Sequence, residues 1–518
     1  MASGLVVDGD EPAAAPSTAP AGPTGHRSRL PSAALAVVTA GCLAFYLVHS
    51  FVDQHRYLTT GYDLGIFDQA VRAYSHFQAP MVPLKGADYN IFGDHFHPII
   101  AVLAPFYWIW DDVGVLFIAQ ALLLAASVPV VYRFARRRTG ESMSLIVAAT
   151  YGFGWPLQGL VDFDFHEIAF ATPLAALAID ALDRRDDRRL VLWCALLLLV
   201  REDMGLIVAL IGALLIAQRR GQHRLGIGMI AVGAFTYWLT TSVIIPHFSA
   251  GHGFAYDDQF GALGDSVTAA IGNIVTHPWH AANVFFTPYV KTKTLLLLLV
   301  PFAFVPLRSP YALLALPLFA ERFFNSRHNL WTATFHYNAL PWLILTLAMV
   351  DGAGRFGFFD TTRRATLFRR GLAIVLIATP LVLIVFGDRW RVVPVTDFRK
   401  PYANQPAGWR ASAAAVVTWL PKDVCVAADN HLVPHLTNRD WTTVAQADTP
   451  DPDFYAIDIF APDTGGNPPA PKPDDVYNAA LKAGYKQVFI SGTFVVLQSP
   501  NYRGPSHACT PTGPGKSG

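Results

Sequence analysis

The heptad at residues 161–167, VDFDFHE, places three carboxylates and one imidazole between two apolar stretches. Carboxylates and imidazoles are the side chains that most often serve as general acids, general bases and metal ligands. In an extended segment, the alternation of Asp162, Asp164 and His166 directs all three side chains to one side. The heptad, which ends in Glu167, therefore predicts a metal or proton-transfer site, and a hydrated turn is the alternative.

Two further groups of acids and histidines lie between residues 53 and 112. The stretch GYDLGIFDQAV carries Asp63 and Asp68, either of which could accept a proton as a general base. Asp63 could instead cap the helix that the periodic apolar positions after it predict. The stretch GDHFHPII offers ligands for a divalent metal, although a solvated loop explains the same composition: Asp94, His95 and His97.

A third polar group interrupts the apolar segment from Leu190 to Ala217. As a helix this segment would measure about 42 Å, which is too short for two crossings of a hydrocarbon core roughly 30 Å thick. We therefore expect two short arms that turn at the sequence REDMG, with Arg201, Glu202 and Asp203 at the buried tip. Ionisable groups at that depth indicate a functional site, and an internal ion pair that holds the turn is the structural alternative.

The last polar groups belong to the sequences SRHN and FHYN. They contribute a guanidinium, two imidazoles and a phenol: Arg327, His328, His336 and Tyr337. All of these groups are scattered along the chain. Their use in one site therefore depends on which end of the fold each loop occupies.

The composition indicates that these loops belong to a polytopic α-helical membrane protein. Hydrophobic residues make up 53% of the 518 residues and charged residues 15%, with a mean hydropathy of +0.33, whereas soluble domains carry about 25% charge. The 39 basic residues nearly balance the 38 acidic ones. This balance argues against a nucleic-acid-binding protein, whose affinity rests on a basic surface.

The arginine-rich loops predict the topology, because short loops rich in lysine and arginine stay in the cytoplasm. These loops lie at residues 26–29, 132–140, 183–189, 218–224 and 355–370. Placing all of them inside gives about eleven spans, counting each short arm, and puts the loops 53–112 and 247–292, the heptad and the C-terminus outside. We expect a disordered cytoplasmic tail over residues 1–29 and a transmembrane domain over residues 30–387 in the plasma membrane.

The composition changes to that of a soluble domain over residues 388–518. Strand-like segments such as FYAIDIF and YKQVFISGTFVVLQS, with a helical DDVYNAALKAG between them, predict a small extracytoplasmic α/β domain. Cys425 and Cys509 both lie in this domain, where oxidation is permitted. A disulfide between them and two free thiols are the alternatives.

Five motifs, in order along the chain, resemble the hallmark segments of a bacterial membrane-protein family called domain of unknown function 2079. They are GYDLGIFDQAV, GDHFHPII, DFDFHEIAFATP, REDMGLIVAL and NHLVPHLTNR. The layout also resembles that of the C-type glycosyltransferase (GT-C) superfamily. Those enzymes are polytopic, use polyprenyl-phosphate sugars and place a catalytic acid in the first outside loop, often with a soluble outside domain at the C-terminus.

The GT-C resemblance implies a membrane glycosyltransferase that moves a sugar from a polyprenyl-phosphate donor to a cell-envelope glycan or lipid, in contact with membrane lipids. It implies Asp63 as the general base, with Asp68 and Asp94 as the other acidic candidates. The departure from the pattern is that Asp63 and Asp68 are separated, with no adjacent acidic pair. A divalent ion, Mg²⁺ or Mn²⁺, is the cofactor that such chemistry would use, with Asp94, His95 and His97 as candidate ligands.

The expected site also needs residues that bind the lipid phosphate and the rest of the substrate. Arg201 is expected to grip the leaving lipid phosphate, because a guanidinium binds phosphate oxygens bidentately. Arg327 and Lys85 are the further candidates for this role, and Glu202 or Asp203 would orient Arg201. The remaining substrate-binding candidates are polar groups of the heptad and of the FHYN sequence: Asp162, Asp164, His166, Glu167, His336 and Tyr337.

Two other classes of function remain open. A transporter or flippase would use the broken hairpin and its buried charges as a substrate pathway, and a non-catalytic receptor would bind lipid-linked glycans through the C-terminal domain. Against transport, the two halves show no internal repeat and the polar groups collect at one face. We expect Asp63, residues 94–97, the heptad and Arg201 to line a single cavity at the outer face.

Overall fold

The structure is a computed structural model that describes residues 30–86, 88–219, 221–249, 257–358, 360, 362–386, 408–446, 449, 451–465 and 470–505. The predicted tail over residues 1–29, the predicted domain boundary at residue 388 and Cys509 lie outside these ranges. The architecture is a large helical body followed by a small five-stranded sheet.

The helical body is built from helices of very different lengths. They are α1 (Leu30–His55), α2 (Ile66–Ser75), α3 (Ala104–Tyr107), α4 (Gly114–Arg136), α5 (Glu141–Gly152), α6 (Trp155–Asp162), α7 (Ile168–Arg184), α8 (Asp187–Leu197), α9 (Met204–Gln218), α10 (His223–Leu239), α11 (Ile245–Phe248), α12 (Val267–Thr276), α13 (Pro278–Phe286), α14 (Tyr289–Leu299), α15 (Leu316–Phe323), α16 (His328–Trp331), α17 (Ala339–Arg355) and α18 (Arg363–Phe386). Short 3₁₀ and π turns join several of them, including Gly61–Gly65, Pro98–Leu103 and His336–Asn338.

Within the described residues, four helical stretches are long and apolar enough to cross a membrane: Ala33–His55, Gly114–Arg136, His223–Phe248 and Arg363–Val382. Helices α13 and α14 form a pair bent by 76° that would make a fifth span. The total of about eleven, which includes short arms, stays a prediction, because apolar helices such as α9 are shorter than a full crossing requires.

The apolar segment over residues 143–160 is divided between two helices, α5 and α6. Between them, Gly154 lies so close to the indole of Trp342 that an added Cβ would come within 2.4 Å of its Nε1 atom. The same Nε1 atom donates a hydrogen bond to the carbonyl of Tyr151 at 3.1 Å. The helix break is therefore packed against one buried tryptophan, a contact that hydropathy does not reveal.

The predicted hairpin is present as α8 and α9, which flank a turn at residues 198–203. The far ends of the two helices meet through Arg219 and Asp187, with 2.5 Å between Nη1 and Oδ1. Further ion pairs lie at this end of the body, between Arg137 and Asp180 and between Arg138 and both Asp183 and Asp351. Within the described residues, which exclude 26–29, the arginine-rich loops thus gather at the end opposite the turn. The side of the membrane that each end faces stays a prediction.

The C-terminal part contains a mixed sheet with the strand order β2-β1-β3-β5-β4. Strand β1 is parallel to β2 and β3, while β5 runs antiparallel to β3 and β4. The elements are α19 (Trp409–Trp419), β1 (Cys425–Ala428), β2 (Trp441–Val444), β3 (Phe454–Asp458), α20 (Pro473–Lys482), β4 (Lys486–Ser491) and β5 (Phe494–Gln498). This combination of two helices and five strands agrees with the predicted α/β domain. Cys425 is disulfide-bonded, whereas Cys42 and Cys194 are free and buried.

One apolar core runs through both parts of the chain. Buried side chains of the Gly61–Gly65 turn and of α2 belong to the same cluster as those of the segment after β1: Leu64, Phe67, Leu432, Val433 and Leu436. The turn that carries Asp63 is therefore packed between the helical body and the sheet.

Candidate active site

A cavity of 560 Å³ lies at the end of the helical body where the hairpin turns. Its wall is partly apolar, with side chains such as Phe67 and Leu318. Its polar lining comes from separate segments and includes many of the predicted residues: Asp63, Lys85, Asp94, His95, His97, His166, Arg201, Glu202, Asp203, Arg327, His336 and Tyr337. The structure thus brings loops that are distant in sequence to one place.

Asp63 lies on the π turn Gly61–Gly65 and faces the cavity, with 28% of its side chain exposed. Its Oδ2 atom is 3.5 Å from Nε2 of His166. Within the described residues, no side-chain hydrogen bond caps this turn or helix α2, so the helix-cap alternative for Asp63 is wrong. The carboxylate is instead directed toward the imidazole and the cavity.

His166 connects Asp63 to a chain of buried charges. Its Nδ1 atom lies 2.5 Å from Oε2 of Glu167, whose Oε1 atom accepts from Arg201 at 3.4 Å. The Arg201 guanidinium donates to both carboxylate oxygens of Asp203, at 2.8 and 2.7 Å. Burial acts to lower the pKa of His166, but Glu167 and Asp63 outweigh it and raise that pKa to about 9. At neutral pH the ring is therefore an imidazolium between two carboxylates.

A second imidazole stacks on the first. The ring centroids of His166 and His336 are 3.6 Å apart, with 24° between the ring planes. Burial and the positive charge of His166 hold the pKa of His336 well below its ordinary value, so this ring is neutral. Arg322 fixes the loop that carries His336 by donating to four oxygens, which belong to Leu330, Thr332, Tyr337 and Asn338. Sequence reasoning missed Arg322, because a single arginine in the apolar helix α15 forms no motif.

The stretch GDHFHPII does not form the predicted metal site. Asp94 binds Lys85, with 2.5 Å between Oδ2 and Nζ, while Nδ1 of His95 lies 2.6 Å from Oε1 of Glu202. Burial acts to lower the pKa of His95, but Glu202 and Asp94 raise it to about 9. His97 is buried apart from them, and burial lowers its pKa to about 4. The three predicted ligands therefore face different surroundings and do not converge.

The heptad is not extended, so the prediction that its alternating side chains share one side is wrong. Helix α6 ends at Asp162, and Asp164 adopts a left-handed conformation with φ of 66°. Asp162 meets Nε2 of His49 at 3.0 Å, and the carboxylate of Asp164 accepts the backbone N–H of Thr60 at 2.9 Å. Of the polar side chains of the heptad, only His166 lines the cavity.

Asp68 is a structural residue, and its prediction as a catalytic candidate is wrong. It is fully buried on α2, where it binds the Arg72 guanidinium at 3.1 Å. It also accepts a hydrogen bond from the hydroxyl of Tyr107 at 2.7 Å. Both of its oxygens are engaged away from the cavity, so it cannot meet a substrate there.

A family model covers most of this chain. The model described as "Predicted membrane protein (DUF2079)" matches residues 54–464. The chain belongs to this family. No curated protein matches the sequence significantly.

The fold of this DUF2079 protein is similar to that of ArnT from Cupriavidus metallidurans. A crystal structure of ArnT bound to undecaprenyl phosphate aligns with a TM-score of 0.50 and 13% sequence identity, over 90% of this chain and 99% of ArnT. The apo structure of ArnT aligns with a TM-score of 0.48 and 13% identity, over 88% and 97% of the two chains. At this identity the likeness concerns the fold alone.

One group in the DUF2079 site has the geometry of a metal site. Asp63, His166 and His336 each offer one ligand atom, and these atoms lie within 4.8 Å of one another. Two imidazoles with one carboxylate favour a transition ion such as Zn²⁺ over Mg²⁺, which prefers oxygen ligands. The Glu167 carboxylate at Nδ1 of His166 is the kind of outer partner that orients metal-binding histidines. These residues therefore fit a divalent ion, and of the three only His166 belongs to a stretch predicted to bind a metal.

The rim of the cavity carries an exposed cation. Arg327 is exposed, lines the cavity with Tyr337 and makes no side-chain ion pair within the described part of the chain. His328, next to it, packs edge-to-face on Trp331 and lies outside the lining. The SRHN sequence therefore supplies one charge to the DUF2079 cavity, and that charge is the arginine.

Proposed function

We propose that this DUF2079 protein is a membrane glycosyltransferase that moves a sugar from a polyprenyl-phosphate donor to a cell-envelope acceptor, a glycan or a lipid. The observation that carries the proposal is the Asp63 carboxylate, which faces a cavity lined by apolar side chains and by cations. The likeness in fold to ArnT, whose crystal structure contains undecaprenyl phosphate, supports a donor of that class.

Asp63 acts as the general base in this proposal. Its carboxylate takes the proton of the acceptor hydroxyl while the acceptor oxygen attacks the anomeric carbon of the sugar. The bond between that carbon and the phosphate oxygen breaks, and polyprenyl phosphate leaves with the electron pair. The His166 imidazolium, 3.5 Å from the carboxylate, holds Asp63 in place before the reaction.

The leaving phosphate needs a positive charge to stabilise it. The sequence favours Arg201, but its guanidinium is already bound by Asp203 and Glu167. We therefore assign the phosphate first to Arg327, which is exposed and lines the cavity, and second to Lys85, which lines the cavity but is paired with Asp94. We assign to Arg201 the task of ordering the buried carboxylates.

A divalent ion held by Asp63, His336 and the deprotonated ring of His166 is a second state of the same site, in which the ion replaces the proton of His166. Such an ion supplies further positive charge for the leaving phosphate when it is bound. We expect purified protein to contain about one equivalent of zinc or manganese per chain, since the ligand set favours a transition ion, and His336→Ala to lose it. Equal metal contents in wild type and His336→Ala, measured by mass spectrometry of the elements, would remove the ion from the proposal.

Reconstitution tests the proposed reaction against transport. Proteoliposomes that contain the protein receive a panel of polyprenyl-phosphate sugars with an envelope extract as acceptor. A transferase releases polyprenyl phosphate and forms a glycosylated product, whereas a flippase moves the donor across the bilayer and leaves it intact. Movement of donor without release of lipid phosphate for any sugar would overturn the proposal.

A further inference from the structure

We propose that Asn430, in the C-terminal domain, is a positioning residue for the Asp63 turn. The inference rests on the proposed function, because it assigns to the domain a part in aligning the base. Asn430 belongs to the motif NHLVPHLTNR, which begins two residues after β1. No role in the cavity accounts for this motif, since Asn430 lies outside the lining.

Asn430 binds two consecutive backbone amides that directly precede Asp63. Its backbone carbonyl accepts the N–H of Gly61 at 2.8 Å, and its side-chain Oδ1 atom accepts the N–H of Tyr62 at 3.1 Å. The amide before these two, that of Thr60, donates to Asp164 at 2.9 Å. Three successive amides are therefore fixed from two sides, by the heptad and by the C-terminal domain.

The two glycines of the sequence GYDLG allow this close approach. A Cβ at Gly61 would lie 2.9 Å from Cγ1 of Val433 and 3.0 Å from Oδ1 of Asn430. A Cβ at Gly65 would lie 3.1 Å from the same Val433 atom. The 2.9 Å contact is closer than a Cβ adopts in the observed packing, and the contacts at 3.0 and 3.1 Å would require the neighbouring side chain to shift. The turn is therefore seated directly on residues 430–433.

The segment after β1 is itself held by the sheet and by the loop that follows α1. The N–H of Asp429 donates to the carbonyl of Ala456 in β3 at 2.7 Å, which ties the segment to the neighbouring strand. The ring of His435 stacks on Tyr57 with 3.9 Å between centroids, and Nδ1 of His431 lies 3.2 Å from the carbonyl oxygen of Thr59. The position of the base thus depends on how the C-terminal domain docks.

Substitution of Asn430 in the full-length protein separates positioning from folding. Asn430→Ala removes the acceptor for the Tyr62 amide and keeps the backbone carbonyl, so turnover should fall by roughly 10- to 100-fold through misplacement of the base. The donor KM should stay unchanged, because the cations of the cavity are untouched. Asn430→Asp keeps an oxygen acceptor and should recover most of the turnover. Asn438→Ala is the matched control, since Asn438 is exposed on the same segment, and it should behave as wild type.

Hydrogen exchange gives a readout that does not require activity. In Asn430→Ala, exchange of the amides in residues 58–66 should accelerate at an unchanged thermal midpoint, whereas in Asn438→Ala it should not. Unchanged exchange in Asn430→Ala would overturn the inference even if the protein is a transferase. Accelerated exchange in Asn430→Ala, found together with a wild type that transfers no sugar, would instead count against the proposed function and leave the positioning of the turn in place.

A compensating pair of substitutions, at Gly61 and Val433, provides an independent test of how the Asp63 turn packs on the C-terminal domain. Gly61→Ala drives a Cβ into Val433 and should reduce turnover, and Val433→Ala in the same chain should restore part of it by vacating that space. Additive losses in the double variant would contradict the seating of the turn on residues 430–433.

Discussion

Removal of the Arg201 guanidinium should destabilise the hairpin turn far more than removal of an exposed arginine. Arg201 is 9% exposed, and it donates two hydrogen bonds to Asp203 and one to Glu167. Arg201→Ala leaves Asp203, which is 4% exposed, without its counter-charge, and leaves Glu167, which is 0% exposed, with His166 alone. Breaking a buried ion pair from one side costs about 3–5 kcal/mol.

Thermal unfolding in detergent, followed by tryptophan fluorescence, measures this effect. Arg189→Ala is the matched control, because the Arg189 side chain is 61% exposed and lies 3.5 Å from Asp186. Such a surface pair contributes about 0–1 kcal/mol, so this variant should unfold close to wild type. Arg201→Met combined with Asp203→Leu should recover part of the loss, because it removes a buried carboxylate together with the cation. Equal midpoints for Arg201→Ala and Arg189→Ala would refute the role of Arg201 as the counter-charge of the turn.

Three further results are expected. Raising the pH through about 9 should lower the unfolding midpoint of wild type more than that of His95→Gln. Folding raises the pKa of His95 to about 9, so the stability that its protonated ring provides is present below pH 6.5 and is lost above pH 9. Parallel curves of midpoint against pH for the two proteins would contradict this. Gly154→Ala should lower the free energy of unfolding by about 1–3 kcal/mol, because the new methyl group overpacks against Trp342. Gly371→Ala, with nothing within 4 Å of the new Cβ, should not destabilise the protein. Equal unfolding midpoints for the two variants would argue against the tight contact at Gly154. A cysteine placed at Asn438 should react with an impermeant reagent from outside and one at Arg188 only after permeabilisation, and the reverse pattern would overturn the topology.

The sequence predicts which loops meet, because positive charge and span length assign each loop to one end of the body. Asp63, His166 and Arg201 are motif residues of three such loops, and they all line the cavity. The break in the hairpin is predictable for the same reason, since a segment of that length cannot cross twice. These inferences depend on patterns along the chain and not on particular side-chain contacts.

The partners of individual side chains are not predictable in this way. The left-handed residue Asp164 turns the heptad so that His166 faces the cavity and Asp162 does not, and nothing in the alternating pattern indicates that turn. Arg322 is a lone cation in an apolar helix, and its role depends on carbonyls that only the folded loop presents. The bond between Tyr62 and Asn430 joins residues 368 positions apart, a separation at which local patterns carry no information.

The direct test of the central claim is the transfer rate of Asp63→Asn in proteoliposomes, measured as release of polyprenyl phosphate. Asparagine keeps the size and hydrogen-bonding capacity of the side chain but cannot act as the base, so turnover should fall by roughly 10²- to 10⁴-fold with the protein folded and the donor still bound. Asp88→Asn makes the same chemical change at an exposed position of the same loop, outside the cavity lining, and should leave turnover unchanged. Full transferase activity in Asp63→Asn would contradict the assignment of the base.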